Sequence, residues 1–308
     1  MKKRVFIDGS AGTTGLRIVE RLEKRGDLEL IRLDEAHRKD AACRKQALNE
    51  ADVAFLCLPD AAAVEAVELI ENPATVVIDT STAHRVSDGW VYGFAELDGR
   101  REKIAGAKRI ANPGCHASGF LALAAPLVEK GLISPQEKLS CFSLTGYSGG
   151  GKKMIAEYEA AQRDSLLDAP RLYGLTQSHK HLPEMQAYAH LTEPPVFCPI
   201  VAPYYAGMEV VVPLFGADKD AVCAAYRDYY RSGLVQFAGN ADEAGFMSAG
   251  KFAGRDDIQI AVCGNAERLL LISRFDNLGK GASGAAIQNM NIVLGVAETT
   301  GLELGGND

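Results

Sequence analysis

Cys115 stands one residue past Pro113-Gly114 in "ANPGCHASGF", with a small-residue run that turns apolar behind it. A Pro-Gly turn feeding a helix puts the thiol at the positive end of the helix dipole, which lowers its pKa and favours the thiolate. A thiolate so placed is a nucleophile for acyl transfer; the bland alternative is a small buried hydrophobe. Farther along, "SHKHLPEM" offers His179, His181 and Glu184. In an extended chain residues i and i+2 point alike, so either imidazole could activate the thiol or move a proton, with the carboxylate as orienter. His116, directly after the cysteine, is expected to point elsewhere. A metal site from these histidines with Glu184 or His190 lacks both HExxH and a Cys/His zinc spacing, and no metal is assigned.

"GSAGTTG" follows an apolar strand and places Gly9, Gly12 and Gly15 three apart. Backbone without Cβ can approach a pyrophosphate there, and helix-start N–H groups can bind its charge. Ser10, Thr13 and Thr14 belong to the same loop. The spacing is GxxGxxG, not the commoner GxGxxG, so its place at a first βα turn carries the reading. At the end of the second strand Arg32, with Arg38 and Lys39 nearby, favours a 2′-phosphate and hence NADP(H); Asp34 is the contrary sign.

Two further stretches are candidates for anions. "GYSGGGKK" fits GxxxxGK but has Lys153 where a P-loop needs Ser or Thr for Mg²⁺, so a nucleoside triphosphatase is not expected. Ser148, Gly149 and Lys152 remain suited to a smaller phosphoryl group. "DTSTAHR" closes a strand with Ser81, facing a cofactor, and Arg85, able to hold a carboxylate by paired hydrogen bonds; a capped turn with a surface arginine is the alternative.

The elements that must position these groups alternate at first. Strands at Val5–Ile7, near Arg32, at "ADVAFLCLP" and at "TVVIDTS" are separated by helices from about Thr14 to Lys24 and in "DAAAVEAVELIENP", closed by Pro73, which predicts a doubly wound parallel sheet. After Cys115, "KLSCFSL", "EVVVPLF", "IQIAVCG" and "RLLLISRF" are β-rich around a single clear helix, "DKDAVCAAYRDYYRSG", an α+β texture with an antiparallel or mixed sheet. The final "GKGASGAAIQNMNIVLGVAETTG" spaces Ala286, Ile287, Met290, Ile292, Val293 and Val296 helically, and that helix must pack on something.

The 308 residues are enough for two domains, and a net charge of −7 argues against a nucleic-acid or anionic-lipid surface. No apolar run approaches a membrane span, and the opening "MKKRVFIDGS" enters a strand too soon for a signal peptide. Seven cysteines without a CxxC pair suit a reducing compartment, so a cytoplasmic protein is expected.

Taken together, "GSAGTTG", "DTSTAHR", "NPGCHASG", "GYSGGGKK", "HKHLPEM" and "NLGKGASGAAIQNMN" resemble, in order across nearly the whole chain, the short (type 2) N-acetyl-gamma-glutamyl-phosphate reductases of arginine biosynthesis. The resemblance implies a Rossmann-type dinucleotide domain, residues 1–114 plus 278–308, into which the C-terminal helix returns. It implies a glyceraldehyde-3-phosphate dehydrogenase-like catalytic and oligomerisation domain, residues 115–277, usually in a homodimer or homotetramer. It implies NADPH-dependent reduction of an acyl phosphate through a thioester on Cys115, with Asn277, Lys280 and Gly281 facing cofactor or phosphate. The rivals are an aspartate-semialdehyde dehydrogenase, which typically sets its cysteine after Asn, a carrier-linked lysine-pathway reductase, a non-enzymatic NADP-binding regulator and a metal-dependent hydrolase.

Overall fold

The computed structural model describes residues 2–231, 233–239 and 241–305. Strand β1 (Lys3–Asp8) runs into a turn that needs glycine: Gly9 has φ +82°, and a Cβ there would lie 2.2 Å from the Cys57 carbonyl oxygen. Helix α1 (Thr13–Leu22) starts at Gly12 without a side-chain cap, and a Cβ on Gly15 would meet the Gly9 carbonyl at 2.5 Å. The order continues β2 (Leu28–Ile31), α2 (Ala41–Glu50), β3 (Val53–Leu56), α3 (Asp60–Glu68), β4 (Val76–Asp79), β5 (Val91–Tyr92), α4 (Arg100–Ala105) and β6 (Arg109–Ala111). The strands form a parallel sheet in the order β2-β1-β3-β4-β6-β5. "VAFL" and "VVID" are buried throughout, as strands covered on both faces must be.

The chain separates into two compact units, the first being Met1–Pro113 with Ala282–Glu303. Helix α9 (Gly284–Leu294) therefore belongs with the parallel sheet. Its Ala286, Ile287, Met290 and Ile292 join Val5, Val53, Ile78 and Ile110 in one core, where burying a large aliphatic side chain stabilises by roughly 2 kcal/mol. The helix stops at Gly295, which has φ +67°, so Val296 lies past its end and is partly exposed. Phe6, Leu48, Ala54, Leu56 and Val77 build the core on the other face.

The second unit begins at Gly114. It holds α5 (Cys115–Glu129), β7 (Ser140–Gly146), α6 (Gly151–Glu159), β8 (Arg171–Leu172), α7 (Leu182–Tyr188), β9 (Val196–Ala202), β10 (Met208–Phe215), α8 (Lys219–Tyr229), β11 (Val235–Phe237), β12 (Ile258–Gly264) and β13 (Arg268–Phe275). The sheet order is β11-β12-β13-β10-β7-β9-β8, parallel at β7·β9 and β11·β12 and antiparallel elsewhere, so it is mixed.

A single clear helix was too few for this half. Helix α5 is buried from His116 to Val128 and so has no polar face to mark a period. It lies close on the sheet because Gly119 admits Val210 and Phe275, whose atoms a Cβ would meet at 2.5 and 2.8 Å. Tyr226 of α8 and Tyr230 just past its end donate to the Leu123 and Ala122 carbonyls. The opposite face of the sheet exposes Phe142, Val196, Phe215 and Leu270.

Candidate active site

Cys115 is the first residue of α5, with Gly114 as N-cap and no side-chain cap, and the thiol is half-buried. Glu184, in the first turn of α7 and almost fully buried, accepts a hydrogen bond from the Gly114 N–H at 3.1 Å. The carboxylate assigned to orient an imidazole thus also grips the backbone of the cysteine turn.

His179 and His181 stand together, but not as an extended pair. The chain turns at Lys180, His181 takes helical angles as N-cap of α7, and the two rings meet edge to face with centroids 4.8 Å apart. The His181 N–H donates to His179 Nδ1 at 3.2 Å, so a neutral His179 carries its hydrogen on Nε2. His181 is buried, whereas His179 is partly open.

The expectation for His116 is overturned. One step around α5 does not carry its ring away from the site: it lies 5.8 Å from the His179 ring and 5.4 Å from that of His181. Its Nδ1 meets Ser143 Oγ at 2.7 Å and its Nε2 meets Tyr173 Oη at 2.6 Å. Burial pushes its pKa down to about 3, so the ring is neutral. Sequence reasoning missed Ser143 and Tyr173 altogether. Tyr173 sits in a loop of mixed polarity with no period, and Ser143 reads as one more residue of a strand.

The loop "GYSGGGKK" is a short 3₁₀ turn, Tyr147–Gly150, leading into α6. Ser148 is buried and accepts from Asn277 Nδ2 at 3.0 Å, while Asn277 Oδ1 accepts from the Gly207 N–H. Gly149 packs near Asn277, and Lys152 is exposed. Gly281 lies against the cysteine, since a Cβ there would be 2.9 Å from Cys115 Cβ; Lys280 is fully buried. One unit thus gathers Cys115, Glu184, the three histidines, Ser148, Asn277 and Gly281. His190 instead faces Glu129 at 3.8 Å, and among the described residues no group of three His, Cys, Asp or Glu could share a metal ion.

In the first unit Gly9, Ser10, Ala11, Arg32, Leu33, Arg38 and Lys39 line a cavity of about 550 Å³ at the carboxyl ends of β1 and β2. The residues fit a dinucleotide. Helix α1 starts without a side-chain cap, and the Thr13 hydroxyl is buried there without a hydrogen-bond partner among the described residues. Thr14 and Gly15 form the next positions of the helix. Asp34 is occupied by the His37 backbone and ring, which hold its carboxyl below the usual range.

Ser81 is bound inside its own turn, and Arg85 reaches out of it. Ser81 donates to Asp79, which also holds His84 at 2.7 Å. Arg85 is buried and donates to the Asn112 and Thr80 carbonyls, so it is not the surface arginine of the alternative reading.

Residues 4–107 match the NAD binding domain model of the semialdehyde dehydrogenases, and residues 115–277 match their dimerisation domain model. The chain is 43% identical to N-acetyl-gamma-glutamyl-phosphate reductase 2 of Nostoc sp., over 98% of this chain and 99% of that protein. It is 45% identical to N-acetyl-gamma-glutamyl-phosphate reductase of Mesorhizobium japonicum, over 96% and 100%. The fold matches aspartate semialdehyde dehydrogenase II of Vibrio cholerae with a TM-score of 0.71 at 16% identity, covering 96% of this chain and 98% of that one. The aspartate semialdehyde dehydrogenase of Candida albicans, solved with NADP, matches at 0.67 and 16%, covering 96% and 99%. Matched end to end by such relatives and in both units by these models, the chain belongs to the semialdehyde dehydrogenase family, among its N-acetyl-gamma-glutamyl-phosphate reductases.

Proposed function

We propose that this protein reduces N-acetyl-gamma-glutamyl phosphate to N-acetylglutamate 5-semialdehyde and phosphate with NADPH, through a thioester on Cys115. The observation that carries the reading is the thiol at an uncapped helix start, in the unit that also gathers the histidines and the glycine loop. Arg32, Arg38 and Lys39 around the nucleotide cavity, with Asp34 turned to His37, support NADPH over NADH.

The Cys115 thiolate attacks the acyl carbon and the C–O bond to phosphate breaks. His179, the more accessible imidazole and the one with its hydrogen on Nε2, donates a hydrogen bond from that N–H to the phosphate as it departs as an anion, and keeps its hydrogen; His181 fixes it in place. NADPH, when bound, supplies a hydride. Cys115 then leaves as thiolate when the C–S bond breaks, releasing the aldehyde. Ser148, Gly149 and Lys152 are proposed for phosphate, with Asn277 holding Ser148; Gly281 leaves room beside the thiol.

The match of residues 115–277 to a dimerisation domain supports self-assembly, and we propose a homodimer closed over the apolar sheet face. The test of the reaction is NADP⁺ reduction at 340 nm with phosphate and N-acetylglutamate semialdehyde. Turnover should require phosphate and vanish in Cys115→Ser. A folded, NADP-binding parent without turnover would refute the substrate, and turnover surviving in the variant would refute the thioester.

A further inference from the structure

The chain Ser143–His116–Tyr173 has a direction. Ser143 is fully buried, and among the described residues its hydroxyl bonds only to His116 Nδ1 and Tyr173 Oη only to Nε2. A neutral imidazole has one N–H and one acceptor, so two arrangements compete. If Nδ1 carries the hydrogen, the Ser143 O–H is left buried without an acceptor, which is the costlier state. With the hydrogen on Nε2, Ser143 donates to Nδ1 and His116 donates to Tyr173. The phenol then has its own hydrogen free to give onward. His116 is joined in sequence to Cys115, and the Tyr173 ring lies 5.9 Å from that of His179, so the phenol sits at the edge of the thiol centre.

We propose that Tyr173 is a catalytic hydrogen-bond donor to the acyl oxygen carried on Cys115, and that His116 is the positioning residue that frees its hydroxyl for this. The proposal rests on the thioester reading above. No covalent step is added: the phenol donates to the oxygen as negative charge develops on it and keeps its hydrogen throughout. Burial, with the Cys115 thiol as the smaller cause, holds the phenol above its ordinary range, so it does not ionise. Among the described residues, the titratable groups beside the pair are His179 and His181, with the Cys115 thiol next to the phenol.

Tyr173→Phe and His116→Phe are compared with the parent, singly and together. Losing one such donor is expected to lower kcat about 100-fold, with KM within about threefold and the rate of Cys115 alkylation by iodoacetamide within about twofold. The double variant should match Tyr173→Phe, and His116→Gln, whose amide can still donate to the phenol, should recover most of the His116→Phe loss. A Tyr173→Phe enzyme with parental kcat would overturn the proposal. So would losses that multiply in the double variant, which would make His116 a packing residue. If His116→Phe does not fold, Tyr173→Phe and His116→Gln decide the matter. An inactive parent would refute the proposed reaction itself, whereas failure of the relay shows only in the variants.

Discussion

At the scale of the residue, His116 shows how burial decides chemistry. A solvated imidazole protonates near pH 6.5, but this ring is enclosed and its pKa is pushed down to about 3, burial being the larger cause and His179 the smaller. Between those values the unfolded chain binds a proton that the native protein refuses. Stability is therefore full above about pH 6.5 and is lost as the pH falls toward 3, by at most about 1.4 kcal/mol per pH unit from this group. Urea unfolding of the parent and His116→Phe at pH 7, 6 and 5 isolates the contribution, since other groups cancel in the comparison. The variant should lose less stability on acidification; parallel curves would show that His116 is not the buried neutral ring described. The same enclosure sets cysteine reactivity: burial pushes the Cys141 thiol well above its ordinary range, while Cys115 stands half-open.

At the scale of the element, the glycine loop turns on the main chain of its neighbour strand. Gly9 combines φ +82° with a Cys57 carbonyl at 2.2 Å from any added Cβ, so Gly9→Ala must displace backbone. Gly26 has open space around it. Gly9→Ala is expected to cost about 2–4 kcal/mol and to abolish NADPH binding, while Gly26→Ala stays within about 0.5 kcal/mol. Thermal melts with and without NADPH check both, and a Gly9→Ala protein that melts with the parent would refute the close approach. Such loops are legible because glycine leaves a mark in sequence, as do the apolar runs of β1, β3 and β4. Helix α2 left little mark, since only Ala47 and Leu48 of it are buried. Strand β9 was hidden by Pro199, which reads as a breaker although its carbonyl accepts from Tyr173 N–H. Cys115, His179, His181 and Glu184 could be singled out by type and spacing. Ser143, His116 and Tyr173 could not, because their meeting depends on how α5, β7 and the loop after β8 pack.

At the scale of the whole molecule, the mixed sheet of the second unit poses a question of cover. Helices α5 and α8 bury Met208, Val210, Val212 and Leu271 on one side. The ladder registers align Phe142 with Val211 and Cys198, and Leu270 with Pro213 and Cys263, so these side chains share the other side. There Phe142 is 45% exposed, Leu270 42%, Val196 57% and Phe215 82%, a contiguous apolar face of the kind that marks an interaction site. A second copy meeting this face about a two-fold axis would bury it against itself, since a self-complementary patch needs no other partner. Charges at its centre would then be duplicated across the axis and desolvated together. Phe142→Arg with Leu270→Arg should therefore give a monomer by analytical ultracentrifugation, with the circular dichroism spectrum of the parent. A double variant that sediments as the parent does would place the interface elsewhere on this unit.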